Sequence, residues 1–167
     1  MAEKKRSVGL IVTTEIDGEL VAILQVRGTF NPEKMKPESW PGACQVTVHG
    51  GCNTGENESD ALMRETDEEL GNDATDFIIP CLANAKIVFK AEDEKKAVTT
   101  TAMRVLNPDF LKAIRLHAGS GGIRLVSKDD LPKIQDLSKF DKTEGVIDRR
   151  VIAMFPDELE ALKKALA

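Results

Sequence analysis

The sequence has little aromatic content, few cysteines and no long apolar run. Among its 167 residues tyrosine is absent, tryptophan occurs once and histidine twice. Because the apolar runs are short, a transmembrane helix of about 20 apolar residues is excluded. No apolar segment follows the charged amino terminus, MAEKKRS. We therefore expect no secretory signal, no membrane partner and a cytoplasmic location.

The three cysteines, Cys44, Cys52 and Cys81, are too few and too scattered for a disulfide framework. Their number is odd, and no two of them are separated by two residues, the spacing that zinc sites favour. We expect free thiols in a reducing compartment and assign no cysteine nucleophile.

Acidic residues outnumber basic ones by 28 to 23, which gives a net charge of −5. Proteins that bind nucleic acid usually have an excess or a stripe of cations, and the sequence shows neither clearly. Nucleic acid is therefore not the expected partner. A small anionic substrate is compatible with this charge if a cation lies between it and the acidic groups. The balance of 41% hydrophobic and 31% charged residues predicts one domain over residues 1–167.

Strand-like and helical segments are mixed along the chain. Residues 7–14 and 19–26 are rich in apolar and β-branched residues and are joined by an Asp-Gly turn, a hairpin signal. Residues 77–82 and 86–91 are also apolar enough to predict strands. Pro156 and the acidic residues after it predict a carboxy-terminal helix that ends near Leu166. The fold class is therefore α/β or α+β.

Residues 50–71 form the most informative segment. Its first glycines predict a turn, and residues 59–70 predict a helix with Ser59 as N-cap and Gly71 as a left-handed C-cap. The segment contains seven carboxylates and a single cation, Arg64. A turn followed by a helix places backbone atoms beside these carboxylates.

Three glutamates of this helix, Glu65, Glu68 and Glu69, are spaced i, i+3 and i+4 and share one face. Two like charges in contact repel by about 1 kcal/mol in water and by about 4 kcal/mol at an effective dielectric near 20. They also lie near the carboxy-terminal end of the helix, which disfavours anions. Three interpretations are open: a solvated acidic face, protonation of one carboxyl group, and binding of a divalent cation such as Mg²⁺.

Seven residues of this segment match the pattern G-x5-E-x7-R-E-U-x-E-E-x-G-U, in which U is a bulky aliphatic residue. They are Gly50, Glu56, Arg64, Glu65, Glu68, Glu69 and Gly71. Chance would produce this match in a chain of this size with a probability below about 10⁻⁵. The segment therefore resembles the Nudix box of the Nudix hydrolases. Thr66 and Asn72 stand at the two U positions, and we expect weaker packing of the helix and of the turn after it.

The resemblance implies a Nudix-like αβα sandwich with a mixed β-sheet and a catalytic loop–helix. It also implies that the helix glutamates bind Mg²⁺ or Mn²⁺ and position or activate water. Glu69 is the expected main ligand, Glu65 a co-ligand or base, and Glu68 a further ligand. The backbone carbonyl of His49, just before the first glycine of the box, is expected to join the metal.

The remaining box residues have structural roles in this family. Arg64 is expected to pair with Glu56, while a simple surface pair with Asp60 or Glu68 remains an alternative. Gly50 and Gly71 are expected to shape the loop and the end of the helix.

Candidate substrate-binding residues come from outside the box. Arg27, Lys34 and Lys36 are candidate phosphate ligands, although a solvated surface role is the favoured interpretation for each lysine. Trp40 could stack on a base or cover an edge of the sheet. Family members often add one carboxylate from a later loop, and the sequence does not distinguish among three candidates, Glu92, Glu94 and Glu144.

These residues predict a metal-dependent pyrophosphohydrolase that cleaves the diphosphate linkage of a nucleotide or of another nucleoside diphosphate derivative. One alternative is a non-catalytic nucleotide sensor with the same fold. A second is an isopentenyl diphosphate isomerase, which needs more histidine ligands than His49 and His117 supply. The expected partner is a small molecule, and a homodimer is compatible with the family.

Overall fold

The computed structural model describes residues 3–141 and 145–167. The strands are β1 (Lys5–Ile16), β2 (Glu19–Arg27), β3 (Phe30–Asn31), β4 (Lys36–Pro37), β5 (Cys44–Gln45), β6 (Val48–Gly51), β7 (Lys86–Glu92), β8 (Lys96–Arg104), β9 (Ser120–Ser127), β10 (Gln135–Asp136) and β11 (Ala153–Met154). The α-helices are α1 (Glu58–Leu70), α2 (Asn72–Ile78), α3 (Phe110–Ala113) and α4 (Pro156–Ala165), and 3₁₀ helices cover Ile79–Asn84, Lys128–Lys133 and Leu137–Lys139.

Strand β1 organises a seven-stranded mixed sheet, which contains the order β5-β2-β1-β8-β7. Residues 7–10 of β1 pair with β6, and residues 12–16 pair with β2. Along its other edge β1 runs parallel to β8, whereas the remaining pairs of this sheet are antiparallel. The end of β6, from which α1 follows, therefore lies beside the start of β1.

Helices cover both faces of the sheet because β1 is apolar on both sides. Val8, Leu10 and Val12 pack in one cluster with residues of α1 and α2. Ile11 points to the other face, in a cluster that includes Leu162 of α4. The predicted mixed α/β fold with helices on both sides of a mixed sheet is confirmed.

Two local predictions about helices were wrong. Residues 77–82 form the end of α2 and part of a 3₁₀ helix instead of a strand. Pro80 explains this, since it cannot donate a hydrogen bond to a strand ladder. The N-cap of α1 is Asn57 instead of Ser59: the Asn57 side chain accepts a hydrogen bond from the backbone N–H of Asp60 at 2.9 Å.

The end of α1 also differs from the predicted left-handed cap. Gly71 has a positive φ of 86°, as expected, but its ψ of 159° lies outside the left-handed helical region. Its carbonyl accepts a hydrogen bond from the Thr75 N–H at 3.2 Å, so the chain turns directly into α2 at Asn72. Thr66 is fully buried, and its hydroxyl donates to the Leu62 carbonyl at 2.7 Å. This bond satisfies the polar atom that Thr66 introduces.

The three cysteines are free thiols, as expected. Within residues 3–141 and 145–167, no helix is both long and apolar enough to cross a membrane.

Helix α4 carries an enclosed carboxyl group at its amino-terminal end. One oxygen of Glu158 accepts a hydrogen bond from the Val46 N–H at 3.4 Å. The other oxygen is buried and has no partner in the part of the chain that the structure describes. Burial raises the pKa of Glu158 to about 7, although the charge of Arg27 opposes this shift. The folded protein therefore favours the protonated form.

Glu158→Gln should stabilise the protein at alkaline pH. A carboxyl group with a folded pKa of about 7 and an ordinary value of 4.5 destabilises the fold increasingly as the pH rises between these values. We expect the free energy of unfolding of the variant to exceed that of wild type by up to about 3 kcal/mol at pH 8. Below pH 4.5 we expect the two values to be nearly equal. Urea denaturation across this pH range measures the effect.

The control is Glu160→Gln on the same helix. Glu160 is exposed and pairs with Lys164 at 2.9 Å, so we expect no gain from its removal. A pH-independent difference between Glu158→Gln and wild type would contradict the assignment.

Candidate active site

A cavity of about 480 Å³ beside α1 is lined by all three predicted helix glutamates, Glu65, Glu68 and Glu69. The end of β2 contributes Arg27 to the same lining, and the loop between β3 and β4 contributes Lys34. We call this space the glutamate cavity. It brings carboxylates and cations together, an arrangement suited to binding a phosphate through an intervening metal ion.

Arg64 connects the loop before α1 to the helix. Its Nε and Nη2 atoms donate to the two carboxylate oxygens of Glu56, each at 3.0 Å. Nη2 also donates to the Gly51 carbonyl at 2.8 Å. The Arg64 guanidinium is the main reason that the pKa of Glu56 falls to about 2, and the same pair raises the pKa of Arg64. Glu56 is the partner of Arg64 that the sequence predicted, and its carboxyl group is ionised at neutral pH.

The same guanidinium reaches two of the helix glutamates. Nη1 of Arg64 lies 2.7 Å from Glu65 Oε1 and 3.4 Å from Glu68 Oε1. Glu68 therefore forms the surface pair with Arg64 that the sequence left open as an alternative. About half of the Glu68 side chain is exposed to solvent. Arg64 thus holds Glu65 in the absence of another cation.

Glu69 is the most enclosed of the three glutamates. Its Oε2 accepts hydrogen bonds from Gln25 Nε2 at 2.6 Å and from the His49 N–H at 3.4 Å. Burial, followed by the charges of Glu65 and Glu33, raises the pKa of Glu69 to about 8 in spite of these bonds. A cation bound in the cavity would offset both the burial and the neighbouring negative charges, and would therefore lower the pKa of Glu69. The contact also places the His49 main chain beside this carboxylate, while the role of the His49 carbonyl stays a prediction.

Gly50 provides the space for Glu65. A Cβ atom at position 50 would overlap the carboxyl group of Glu65, closer than real Cβ contacts allow. By contrast, a Cβ atom at Gly51 would meet nothing within 4 Å. Burial raises the pKa of Glu65, and the neighbouring Arg64 charge opposes the shift. Glycine at the first position of the box therefore leaves the space that the carboxyl group of Glu65 occupies.

The carboxylate oxygens of Glu65, Glu68 and Glu69 are suitable ligands for a hard divalent cation, but they do not surround a common point. Carboxylate oxygens are the ligands that Mg²⁺ prefers. Within the described ranges, however, no three histidine, cysteine or acidic side chains converge as a preformed metal site. The reason is local, because Arg64 holds Glu65 while Gln25 holds Glu69. Metal binding would therefore require these side chains to rotate.

The candidate substrate residues lie in different places. Arg27 lines the glutamate cavity, but its Nη1 donates to Ser39 and lies 3.7 Å from a Glu38 oxygen, so its charge is partly compensated. Lys34 is exposed and lines the same cavity. Lys36 is an exposed residue of β4 and does not line it.

Trp40 packs away from the glutamate cavity. Its ring meets the Phe155 ring edge-on, with centroids 6.3 Å apart, and it contacts a small buried cluster around Leu137. Its backbone has a positive φ of 55°, which is rare for a bulky residue. Stacking of Trp40 on a substrate base therefore stays a prediction.

Two of the three later-loop carboxylates, Glu92 and Glu94, do not line the glutamate cavity. Glu92 pairs with Lys4, and Glu94 is an exposed residue of the turn between β7 and β8. Glu144 lies outside the described residues. A different carboxylate, Glu33 in the loop after β3, is near enough for its charge to raise the pKa of both Glu65 and Glu69.

Comparison with known proteins gives structural matches only. No family model matches the sequence, and no curated protein matches it. A MutT/nudix family protein from Listeria innocua superposes with a TM-score of 0.59 at 19% identity, covering 99% of this chain and 93% of that one. The NUDIX domain of Shewanella oneidensis NrtR, complexed with ADP ribose, gives a TM-score of 0.58 at 13% identity, covering 99% and 88%. The chain has the Nudix fold.

A third match covers this chain equally well. A MutT/nudix family protein from Enterococcus faecalis gives a TM-score of 0.53 at 18% identity and covers 99% of this chain, but only 61% of its own chain is matched. At these identities the likeness concerns the fold, and the chemistry depends on the residues described above.

Two residues that act on the helix glutamates were missed by sequence reasoning. Gln25 is fully buried in β2 and contacts Glu69, and a polar residue inside an otherwise apolar strand was the available signal. Glu33 gave no signal, because it is one of several charged residues in a loop. Both lie more than 30 residues from the glutamates that they influence.

Gly50→Ala should destabilise the protein, whereas Gly51→Ala should be tolerated. The new Cβ atom at position 50 displaces the carboxyl group at the flexible end of Glu65 and with it a bond to Arg64, at a cost of about 0.5–1 kcal/mol. At Gly51 the space is open. The free energies of unfolding in urea give the comparison, and equal values for the two variants would show that Gly50 is not needed for space.

Proposed function

We propose that the protein is a metal-dependent pyrophosphohydrolase that cleaves the diphosphate linkage of a nucleotide or of another nucleoside diphosphate derivative. The observation that carries the proposal is the glutamate cavity, where three carboxylates of one helix lie with Arg27 and Lys34. The Nudix fold supports it, because a protein of this fold has been crystallised with ADP ribose, a nucleoside diphosphate derivative.

In this proposal Glu65, Glu68 and Glu69 hold Mg²⁺ or Mn²⁺. Such an ion neutralises phosphate charge and lowers the pKa of bound water. Before the ion binds, Glu69 holds a proton near neutral pH, since its pKa is about 8, and the ion displaces this proton. Gln25 orients Glu69 by donating to it at 2.6 Å while it also donates to the Thr47 carbonyl at 2.8 Å.

Arg27, Lys34 and Glu33 complete the proposed site. The two cations line the same cavity as the glutamates, and in this proposal they bind phosphate oxygens. Glu33 is proposed as the additional carboxylate, in place of the later-loop candidates, because its charge acts on Glu65 and Glu69.

A non-catalytic nucleotide sensor is the second candidate function. It is favoured by one observation, that Arg64 already holds Glu65 and that no three acidic side chains in the described ranges form a ready metal site. In a sensor this pair would stay closed, and a nucleotide would bind without being cleaved.

Metal binding should strengthen as the pH rises toward 8. The raised pKa means that Glu69 carries a proton at pH 6, and Mg²⁺ or Mn²⁺ must displace that proton in order to bind. We expect the affinity for Mn²⁺, measured by electron paramagnetic resonance of the free ion, to increase about tenfold between pH 6 and pH 8. The Glu69→Gln variant should bind Mn²⁺ more weakly, and its affinity should be nearly independent of pH. An unchanged pH dependence in that variant would exclude Glu69 as the titrating group.

Glu69→Gln should lower hydrolysis by at least about 10²-fold, because the amide can neither bind the cation as well nor accept a proton. The measurement is phosphate release from nucleoside triphosphates, nucleotide sugars, ADP-ribose, dinucleoside polyphosphates and capped RNA with Mg²⁺ or Mn²⁺. The matched control is Asp67→Asn, an exposed carboxylate on the same helix outside the cavity lining.

The two candidate functions give different results in this assay. Turnover of one substrate class by wild type and by Asp67→Asn, lost in Glu69→Gln, supports the hydrolase. Full activity of Glu69→Gln removes the role given to Glu69. Nucleotide binding without product under all conditions favours the sensor.

A further inference from the structure

A second cavity of about 760 Å³ adjoins the glutamate cavity. It is formed by the first residues of β1, the start of β8 and the loop that follows β6. Lys34 and His49 line both cavities, so the two spaces are neighbours across these residues. A ligand long enough to pass these two side chains would reach from the glutamate cavity into the second one.

The second cavity is basic although the protein has a net charge of −5. Its lining includes one carboxylate, that of Glu3, and five cationic side chains. The cations are Lys4, Lys5, Arg6, Lys34 and Lys96. They come from three separate segments of the chain, which is why the sequence shows no basic stripe. We call this space the basic cavity.

The parallel pairing of β1 with β8 brings two of these cations side by side. Lys5 is paired in register with Lys96. Like charges on paired strands repel each other, and an anion bound beside them would offset that repulsion. The pair therefore adds to the positive charge of this cavity.

Four of the five cations form no ion pair within the described residues, and three of these four make no side-chain hydrogen bond there either. Lys4 pairs with Glu92, and Arg6 donates to the Glu56 carbonyl. Lys5, Lys34 and Lys96, by contrast, form no ion pair within 4.0 Å in the part of the chain that the structure describes.

Glu3, the one carboxylate that the described residues contribute to the basic cavity, does little to balance these charges. Glu3 accepts a hydrogen bond from the Thr54 hydroxyl at 3.4 Å and forms no ion pair with a described residue. The cavity therefore keeps a net positive charge. It is also open to solvent, because Lys5, Lys34 and Lys96 are exposed side chains. An anionic group can reach them without any change of the backbone.

We propose that the basic cavity binds a phosphate group that lies beyond the cleaved diphosphate, so that the preferred substrates contain a chain of three or more phosphates. The inference rests on the proposed function and specifies its substrate class. Lys34, at the junction of the two cavities, contacts the phosphates that connect them, and Lys5 and Lys96 hold the far end of the chain.

The direct test is binding of inorganic tripolyphosphate, measured by calorimetry in metal-free buffer at low ionic strength. The variant is Lys5→Gln combined with Lys96→Gln. The control is Lys128→Gln combined with Lys163→Gln, which removes the same charge from exposed lysines outside the basic cavity. We expect about tenfold or greater loss of affinity in the first variant, and less than a twofold change in the control.

Two results would overturn the assignment. Equal loss in both double variants would mean that tripolyphosphate responds only to the overall charge of the protein. Absence of measurable binding to wild type would mean that the basic cavity holds no phosphate chain. Neither result depends on hydrolysis, so the basic cavity is tested separately from the activity that Glu69→Gln tests.

Kinetics supply the second readout. For a nucleoside triphosphate, the Lys5 and Lys96 variant should raise KM about tenfold with kcat unchanged, whereas for a nucleoside diphosphate sugar both parameters should stay near the wild-type values. An equal rise of KM for the two substrates would contradict a subsite for the third phosphate.

Discussion

The guanidinium of Arg64 holds together the two parts of the candidate site. It binds both oxygens of Glu56 and the Gly51 carbonyl, which anchors the loop before α1, and it also contacts Glu65 on the helix. Bidentate pairs of this kind impose direction as well as charge. Without this anchor, the loop and the glutamate face of α1 would be free to separate, and the cavity beside them would lose its shape.

The same interaction sets a condition on metal binding. A cation that binds Glu65 must compete with Arg64, and one that binds Glu69 must displace the proton favoured by burial. Both costs are offset when the ion relieves the repulsion among the carboxylates. The site is therefore chemically suited to a divalent ion although its side chains are arranged around an arginine. This balance distinguishes a hydrolase, in which Glu65 rotates, from a sensor, in which it stays paired.

An acidic cavity and a basic cavity lie next to each other, and this arrangement would determine the orientation of the proposed substrate. The glutamate cavity concentrates carboxylates on α1, while the adjoining basic cavity gathers cations from β1, β8 and the loop after β3. Strand β1 is responsible for this neighbourhood, since it pairs with β6 along one edge and with β8 along the other. A polyanion bound through a metal ion on one side is thus attracted by ammonium groups on the other, despite the acidic character of the whole chain.

The glutamate face of α1, the hairpin between β1 and β2 and the mixed α/β class were all readable from the sequence, because helix periodicity and turn signals act between near neighbours. The strand expected at residues 77–82 failed, since an apolar run alone does not distinguish a strand from a helix. The contact of Gln25 with Glu69 and the pairing of Lys5 with Lys96 depended on the tertiary structure. Each joins segments more than 40 residues apart, and only the packing of α1 on the sheet and the register of β1 with β8 bring these residues together.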